Sequence, residues 1–326
     1  MTIAERVSLE IGQLAEGITC PLCEKQEARL IHMGVREDPE YPVYVCSYCQ
    51  MQFIEPPFDD LRTYYMEEYR KTHDSVPGKV ISAEERFSIS QRLCQGQSMV
   101  FKDFIPKGMS VLEIGCSSGG FLSHLTDEYE CYGNEWNPED AKYVRDIGEL
   151  PCEEGDIKDI YPGKTFGCIM ARAVLEHVPD PLEWLISLKD RLIGGGWLYL
   201  ETPNANDPLL TVYDIPEYKM FWYRKPHITY WNAEVLAAAL GKCAIQARVS
   251  YFQQYGLLNH QNWLLNKAPM TDPIAARAIW KPVAKSHPAA PTWNRDTSKI
   301  DQIYRLGCEA HLATDSLRVI GCQREI

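Results

Sequence analysis

Three groups of residues in this sequence have types and spacings that can do chemistry. The first is Val111-Leu112-Glu113-Ile114-Gly115-Cys116-Ser117-Ser118-Gly119-Gly120-Phe121-Leu122, a short apolar strand, a glycine-rich turn and a helix start. Glycines at such a turn let the backbone come close to a ligand, and a helix N-terminus favours negative charge. Glu135 follows Gly115 at about the 20-residue offset at which an acidic side chain takes ribose hydroxyls. A pyrophosphate-binding turn carries a second glycine where this chain has Ser117. Glu113, inside the strand, offers a carboxylate to a cationic ligand through bound water or backbone. A cationic amino-acid nucleoside fits these features better than the dinucleotide of an NAD(P)-dependent oxidoreductase.

The second group is two cysteine pairs, Cys20-Pro21-Leu22-Cys23 and Cys46-Ser47-Tyr48-Cys49, separated by residues 24–45. A CxxC turn points two thiolates at one ion, and two such turns close a tetrahedron around structural zinc. A catalytic dithiol needs only one. The third group is histidines. His177 follows an apolar strand at the edge where open α/β sheets bind ligands, and His227 follows the next strand on the same side. Either can take a proton from an alcohol near neutral pH. Arg172, at the end of the strand before His177, is placed to meet a ligand carboxylate. His32, His73, His124, His287 and His311 sit in stretches with no such context and take structural roles.

Positioning these groups requires alternating strands and helices. Residues 84–104 form a helix ahead of the first strand. Helices over 138–147, 180–192 and 232–240 open on Asn137, Asp180 and Asn232, good N-caps, with Pro138 and Pro181 in the first turn of the first two. Residues 166–170, 192–200, 244–251 and 316–322 supply further strands. Between the last two, residues 256–312 are too long for an ordinary loop and form a partly helical insertion, which the family resemblance given below makes a cap over the substrate side. Short strands at 29–32 and 41–45 belong to a zinc ribbon that ends at Pro56-Pro57. A helix over 61–69 carries Tyr65 and Tyr69 on one face. The organisation is a ribbon over 1–57, a helical linker over 58–107 and an α/β domain over 108–326.

The first of these stretches resembles motif I of the class I S-adenosylmethionine-dependent methyltransferases, and the likeness continues in order. Glu154-Gly155-Asp156-Ile157 is similar to the segment that holds the adenine amino group. Ala173-Val174-Leu175-Glu176-His177-Val178-Pro179-Asp180-Pro181 resembles the signature after strand four, and Leu192 to Leu200 the glycine-rich turn and strand five. The ribbon, followed by Phe53-Ile54-Glu55-Pro56-Pro57 and a tyrosine-rich segment, resembles a subgroup acting on deoxysugars and bacterial polysaccharides. The resemblance implies a Rossmann-like class I sheet with a small N-terminal zinc ribbon and a cap before the last strand. It implies S-adenosylmethionine held by Glu113, Gly115, Cys116, Ser117, Gly119, Glu135, Asp156, Ile157 and Ala173, with Trp136 over the adenine and Arg172 near the donor. It places His177 near the methyl donor and Tyr65 and Tyr69 at the mouth of the site. His227 and Tyr230, in Pro226-His227-Ile228-Thr229-Tyr230-Trp231, match the run before the fifth helix, and Asn259 and His260 match a substrate-contacting run. His177 and His227 are both candidates for the base. The aromatic residues from Tyr213 to Trp231 either wall a sugar site or pack a loop.

Basic residues number 33 and acidic residues 45, a net charge of −12. Such a surface repels polyanions, which weighs against an RNA methyltransferase. The first fifteen residues carry Glu5, Arg6 and Glu10 and lack a signal peptide's apolar run. No stretch is apolar enough to span a bilayer. The expectation is a cytoplasmic enzyme whose twelve cysteines need form no disulfides. It transfers methyl from S-adenosylmethionine to a sugar-like small molecule, O-methylation first, C- or N-methylation next.

Overall fold

The computed structural model describes residues 10–58, 60–72, 79–277 and 290–323. His73, His287 and residues 278–289 of the expected cap lie outside them. The N-terminal part folds as β1 (Leu14–Glu16), β2 (Glu27–Val35), β3 (Asp38–Cys46) and β4 (Gln52–Phe53). The central sheet takes β5 (Ser110–Ile114), β6 (Glu130–Asn134), β7 (Cys152–Glu153), β8 (Phe166–Arg172) and β9 (Leu192–Pro203). A short β10 (Thr229–Tyr230) precedes β11 (Arg248–Phe252) and β12 (Ser316–Cys322).

The central sheet runs β11-β12-β9-β8-β5-β6-β7. The five middle-to-edge strands from β9 to β7 are parallel, and β12 is antiparallel to both of its neighbours. β5 and β8 are nearly continuous runs of buried residues, as strands covered on both faces must be. The chain leaves β5 toward β6 and β7, then returns to β8 on the other side of β5. That reversal opens a crevice at the carboxyl ends of β5 and β8.

Local chemistry explains the helix starts. Ser82 and Glu85 make a reciprocal capping box on helix Ala83–Phe104. Asn137 caps Pro138–Asp146, Asp180 caps Pro181–Asp190 and Asn232 caps Ala233–Lys242, as the sequence implied. The last helix passes through Gly241, and Ala244, at φ 51°, turns the chain afterwards. The following strand therefore begins at Arg248 rather than residue 244. Among the described residues, no helix is long and apolar enough to cross a membrane.

Two sets of contacts bear on the expected ribbon and cap. The ribbon takes a strand from outside residues 1–57. β10 completes its sheet, pairing Thr229 with Phe53 and Tyr230 with Gln52. Val35, Val43 and Ile54 of the ribbon share one apolar cluster with Leu209, Tyr218, Trp222 and Trp263. The segment before β12 forms helices Leu257–Asn266, Pro273–Arg277 and Ala290–Ala310, but these pack on β11 and on helix Ala83–Phe104. Arg305 ties them there, donating to the Gln253 and Gln254 carbonyls and pairing with Asp301. None of their described residues reaches the crevice.

The loop carrying His227 is anchored by Asp207, a buried cap that accepts from Leu209 N at 2.7 Å and Tyr218 Oη at 2.7 Å. Burial pushes its carboxyl up to about 7, reinforced by Asp315. Between the ordinary carboxylate range and pH 7 the folded state binds more protons there than the unfolded chain, so stability falls as pH rises through that window. Thermal melts of Asp207→Asn across this range are expected to show a shallower decline than the wild type. Parallel curves would refute the assignment.

Candidate active site

A cavity of about 480 Å³ lies beyond the carboxyl ends of β5, β6 and β8. Its floor is the turn after β5. Gly115 there has φ +67°, and a Cβ added to it would stand 2.7 Å from Val174 Cγ2. Ser117 (φ 50°) and Ala173 (φ 53°), also on the wall, hold left-handed backbone without being glycine. Such strain persists only where surroundings over-determine it, and it clusters at ligand sites. Gly115→Ala is expected to cost about 1–2 kcal/mol of backbone strain alone and to weaken nucleoside binding about tenfold, read by calorimetry. Unchanged binding would show that the turn has slack.

Glu135 sits across this turn. Its Oε2 accepts from Ser117 N and its Oε1 from Asn137 N, both at 2.8 Å. Burial raises its pKa, while Arg70 and these two N–H donors pull it down. The next loop is held by side chains of β6 and its end. Asn134 Nδ2 donates to the Glu153 and Gly155 carbonyls, and Trp136 Nε1 donates to Gly155 O at 2.8 Å. Asp156, Ile157 and Trp136 thereby line the same cavity as Glu135.

Several expected cofactor residues lie elsewhere. Side chains alternate across a strand, so Glu113 faces away from Ile114. It packs toward helix Ala83–Phe104, where its Oε1 is 3.4 Å from Arg172 Nε. Burial pushes its carboxyl up to about 7. Arg172 is spent on that pair, on Gln97 Oε1 at 2.9 Å and on the Phe121 ring. It does not meet the cavity. Cys116 is buried with its Sγ 3.9 Å from Cys152 Sγ, and Gly119 abuts Val144. Neither lines the cavity.

The arginine that does line it is Arg70, which the sequence reading missed. Its Nη2 pairs with Asp140 Oδ2 at 2.7 Å and donates to Ser117 Oγ at 2.9 Å. Asp140 is fully buried and also takes Arg86 Nε at 2.9 Å. The available signal was a cation directly after Tyr69 and an acid three residues past a helix cap. Neither pattern is distinctive alone.

Beyond the cavity's aromatic end the predicted histidines come together. The rings of His177 and His227 are 4.7 Å apart and nearly perpendicular. His177 Nδ1 is 2.7 Å from Pro226 O and 2.6 Å from Tyr65 Oη. A carbonyl oxygen only accepts, so Pro226 O favours the neutral tautomer with the proton on Nδ1 and the lone pair on Nε2. Tyr65 and Tyr69 pack at 4.9 Å with their rings tilted, and Tyr65 also packs edge-on to Trp136. The π-helical turn Tyr64–Glu68 carries Tyr65 and is followed directly by Tyr69; such turns occur frequently at functional sites.

The remaining residues expected at the substrate do not line this cavity. Tyr230 is 2% exposed. Its hydroxyl is satisfied by the Arg224 backbone and its ring lies between Trp222 and Tyr223. The aromatic stretch is loop packing at this point. Asn259 and His260 are buried in helix Leu257–Asn266. His260 bonds to Tyr304 and Gln253, and burial lowers its pKa to about 4. Both are outside the cavity.

The four ribbon cysteines converge. Cys20 and Cys49 Sγ are 3.5 Å apart, as are Cys23 and Cys46 Sγ, and all four lie within 4.8 Å of one another. Zinc–thiolate bonds of about 2.3 Å in a tetrahedron separate sulfurs by about 3.8 Å, so the set fits one zinc ion. Glu24 and Gln50, each one past the second cysteine of its pair, both adopt left-handed φ, 59° and 61°. Their N–H groups return to Cys20 O and Cys46 O. The two halves of the site are thus built by the same turn.

The sheet order, the strained turn and the facing carboxylate define a Rossmann-like nucleoside-binding domain. Residues 85–243 match a methyltransferase-domain family. No curated protein sequence matches the chain. Solved structures similar to this chain include a methyltransferase from Archaeoglobus fulgidus, 19% identical, covering 73% of this chain and 97% of its own, at TM-score 0.47. Another is a Thermotoga maritima methyltransferase described as a possible histamine N-methyltransferase, 16% identical, covering 74% and 95%, at TM-score 0.48. Residues 85–243 are thus a methyltransferase domain, on the Rossmann-like sheet that S-adenosylmethionine-dependent methyltransferases use.

Proposed function

We propose that the acceptor is a hydroxyl group of a sugar, a nucleotide-linked sugar or a surface-glycan intermediate. One observation carries this reading. The donor cavity ends at His177 and two tyrosines, with His227 packed against His177 behind them, a proton acceptor set among flat aromatic faces. Aromatic faces suit the apolar face of a ring-shaped polar acceptor. In this reading Glu135 accepts from the ribose hydroxyls, Asp156 from the adenine amino group, and Arg70 faces the donor's carboxylate. Gly115, Ser117 and Ala173 form the bed.

The displacement itself asks little of the protein. The acceptor oxygen bonds to the methyl carbon, the carbon–sulfur bond breaks, and the thioether leaves neutral. The protein aligns the three atoms and receives the hydroxyl proton. Nε2 of His177 holds the lone pair that can take it, with Pro226 O steadying the other nitrogen, and His227 stands next to it. The four cysteines hold one zinc ion in a structural role, since all four positions are filled by protein. The chain's acidic balance supports a small acceptor over RNA.

The test is incubation with labelled S-adenosylmethionine and a panel of nucleotide sugars and glycan fragments, with mass spectrometry locating the added methyl. A methyl on carbon or nitrogen, or labelling of RNA alone, would replace the proposed acceptor. His177→Asn and His227→Asn are each expected to lower kcat, by about 10²–10⁴-fold for the true base, with donor binding retained. Full turnover in both would leave alignment as the whole of catalysis.

A further inference from the structure

Glu176 has no part in the scheme above, yet it is placed as a functional group would be. It lies in the short turn Leu175–His177 after β8 and is 1% exposed. Its Oε2 accepts from Thr202 Oγ1 at 3.0 Å, while Oε1 is buried with no hydrogen-bond partner. A buried carboxylate oxygen is costly without a donor, and the Arg224 guanidinium acts on this one only at a distance, without a hydrogen bond. One carboxylate oxygen of Glu176 and one ring nitrogen from each of His177 and His227 lie within 4.8 Å of one another.

Two imidazoles and a carboxylate are a donor set suited to divalent first-row transition ions, and three protein ligands leave a position open for substrate. Imidazoles bound to such ions usually donate their other N–H to a carbonyl or carboxylate. Pro226 O receives His177 Nδ1 in that way, at 2.7 Å. His177 also lines the donor cavity, so the open position would face the reacting groups.

We propose that Glu176, His177 and His227 bind one divalent first-row transition ion, separate from the four-cysteine site, with an open position for an oxygen donor. Ligand bonds of about 2.0–2.2 Å require the three groups to draw together on loading. The ion's role, though not its binding, rests on the hydroxyl-acceptor reading. A bound acceptor hydroxyl loses its proton to solvent, and the oxygen displaces the neutral thioether from the methyl carbon. With the ion bound His177 is a ligand and solvent takes the proton; in the ion-free site Nε2 of His177 takes it.

The experiment is a Co²⁺ titration of the full chain with its cysteine site already loaded with zinc, without donor or acceptor. One further equivalent with weak visible bands and no thiolate charge transfer is expected. Glu176→Gln and, separately, His227→Ala are expected to weaken that equivalent at least tenfold, with the zinc content unchanged. Crystals of the wild type soaked in Co²⁺ should show an anomalous peak among the three side chains, a readout that needs no variant to fold. No second equivalent in the wild type, or one that survives both variants at full affinity, overturns the proposal. Failure of the acceptor panel alone leaves the site standing, and an absent second equivalent leaves methyl transfer standing.

Discussion

Glu135→Ala is expected to lower S-adenosylmethionine affinity at least a hundredfold in calorimetric titration. The effect begins in the protein without its donor. The Glu135 carboxylate accepts from two backbone N–H groups, those of Ser117 and Asn137. One belongs to the strained turn after β5 and the other to the cap of helix Pro138–Asp146. Its loss leaves both donors without an acceptor, at about 1–3 kcal/mol each where water does not replace it. The turn at Ser117, already at φ 50°, loses a restraint that keeps it left-handed. The bonds to the ribose disappear as well in the proposed pose. Glu135→Gln should fall between, because an amide oxygen serves one N–H while the amide nitrogen opposes the other. Binding of Glu135→Ala within threefold of wild type would mean that the nucleoside lies elsewhere.

The second large effect is at a distance. Removing zinc by chelation, or replacing Cys46 with Ser, is expected to abolish methyl transfer although no cysteine of the ribbon lines the cavity. In small metal sites the free energy of binding is largely free energy of folding, about 10–16 kcal/mol for structural zinc. Cys46 ends β3, which pairs with β4, and β4 pairs in turn with β10. The Ile54 N–H also reaches Ile228 O, next to His227. Pro226, whose carbonyl orients His177, belongs to the same loop. Unfolding the ribbon therefore frees both histidines from their setting. Donor affinity should change less than tenfold, since Gly115, Glu135 and Asp156 stand on the central sheet. Turnover and calorimetry on the same zinc-free sample separate the two effects. A metal-free chain with normal turnover would show that the ribbon is only an appendage.

The amino-acid sequence by itself determined everything that depends on near neighbours. The caps at Asn137, Asp180 and Asn232, the strand and turn through Gly115, the Glu135 offset and the twin CxxC turns are all where the sequence places them. Each is governed by contacts within a few residues or by a fixed spacing, so local chemistry is sufficient. Only the tertiary structure decided which groups share the cavity. Glu113 and Arg172 face helix Ala83–Phe104 because neighbouring strands and helices, not their own motif, choose which side of the sheet is roofed by what. Arg70 meets Ser117, and Tyr65 meets His177, across 47 and 112 residues of chain. β10 leaves the catalytic half to complete the ribbon, and the helices before β12 pack beside the sheet instead of over the crevice. These outcomes depend on how apolar surfaces between distant segments are best buried, and no short stretch of sequence contains that information.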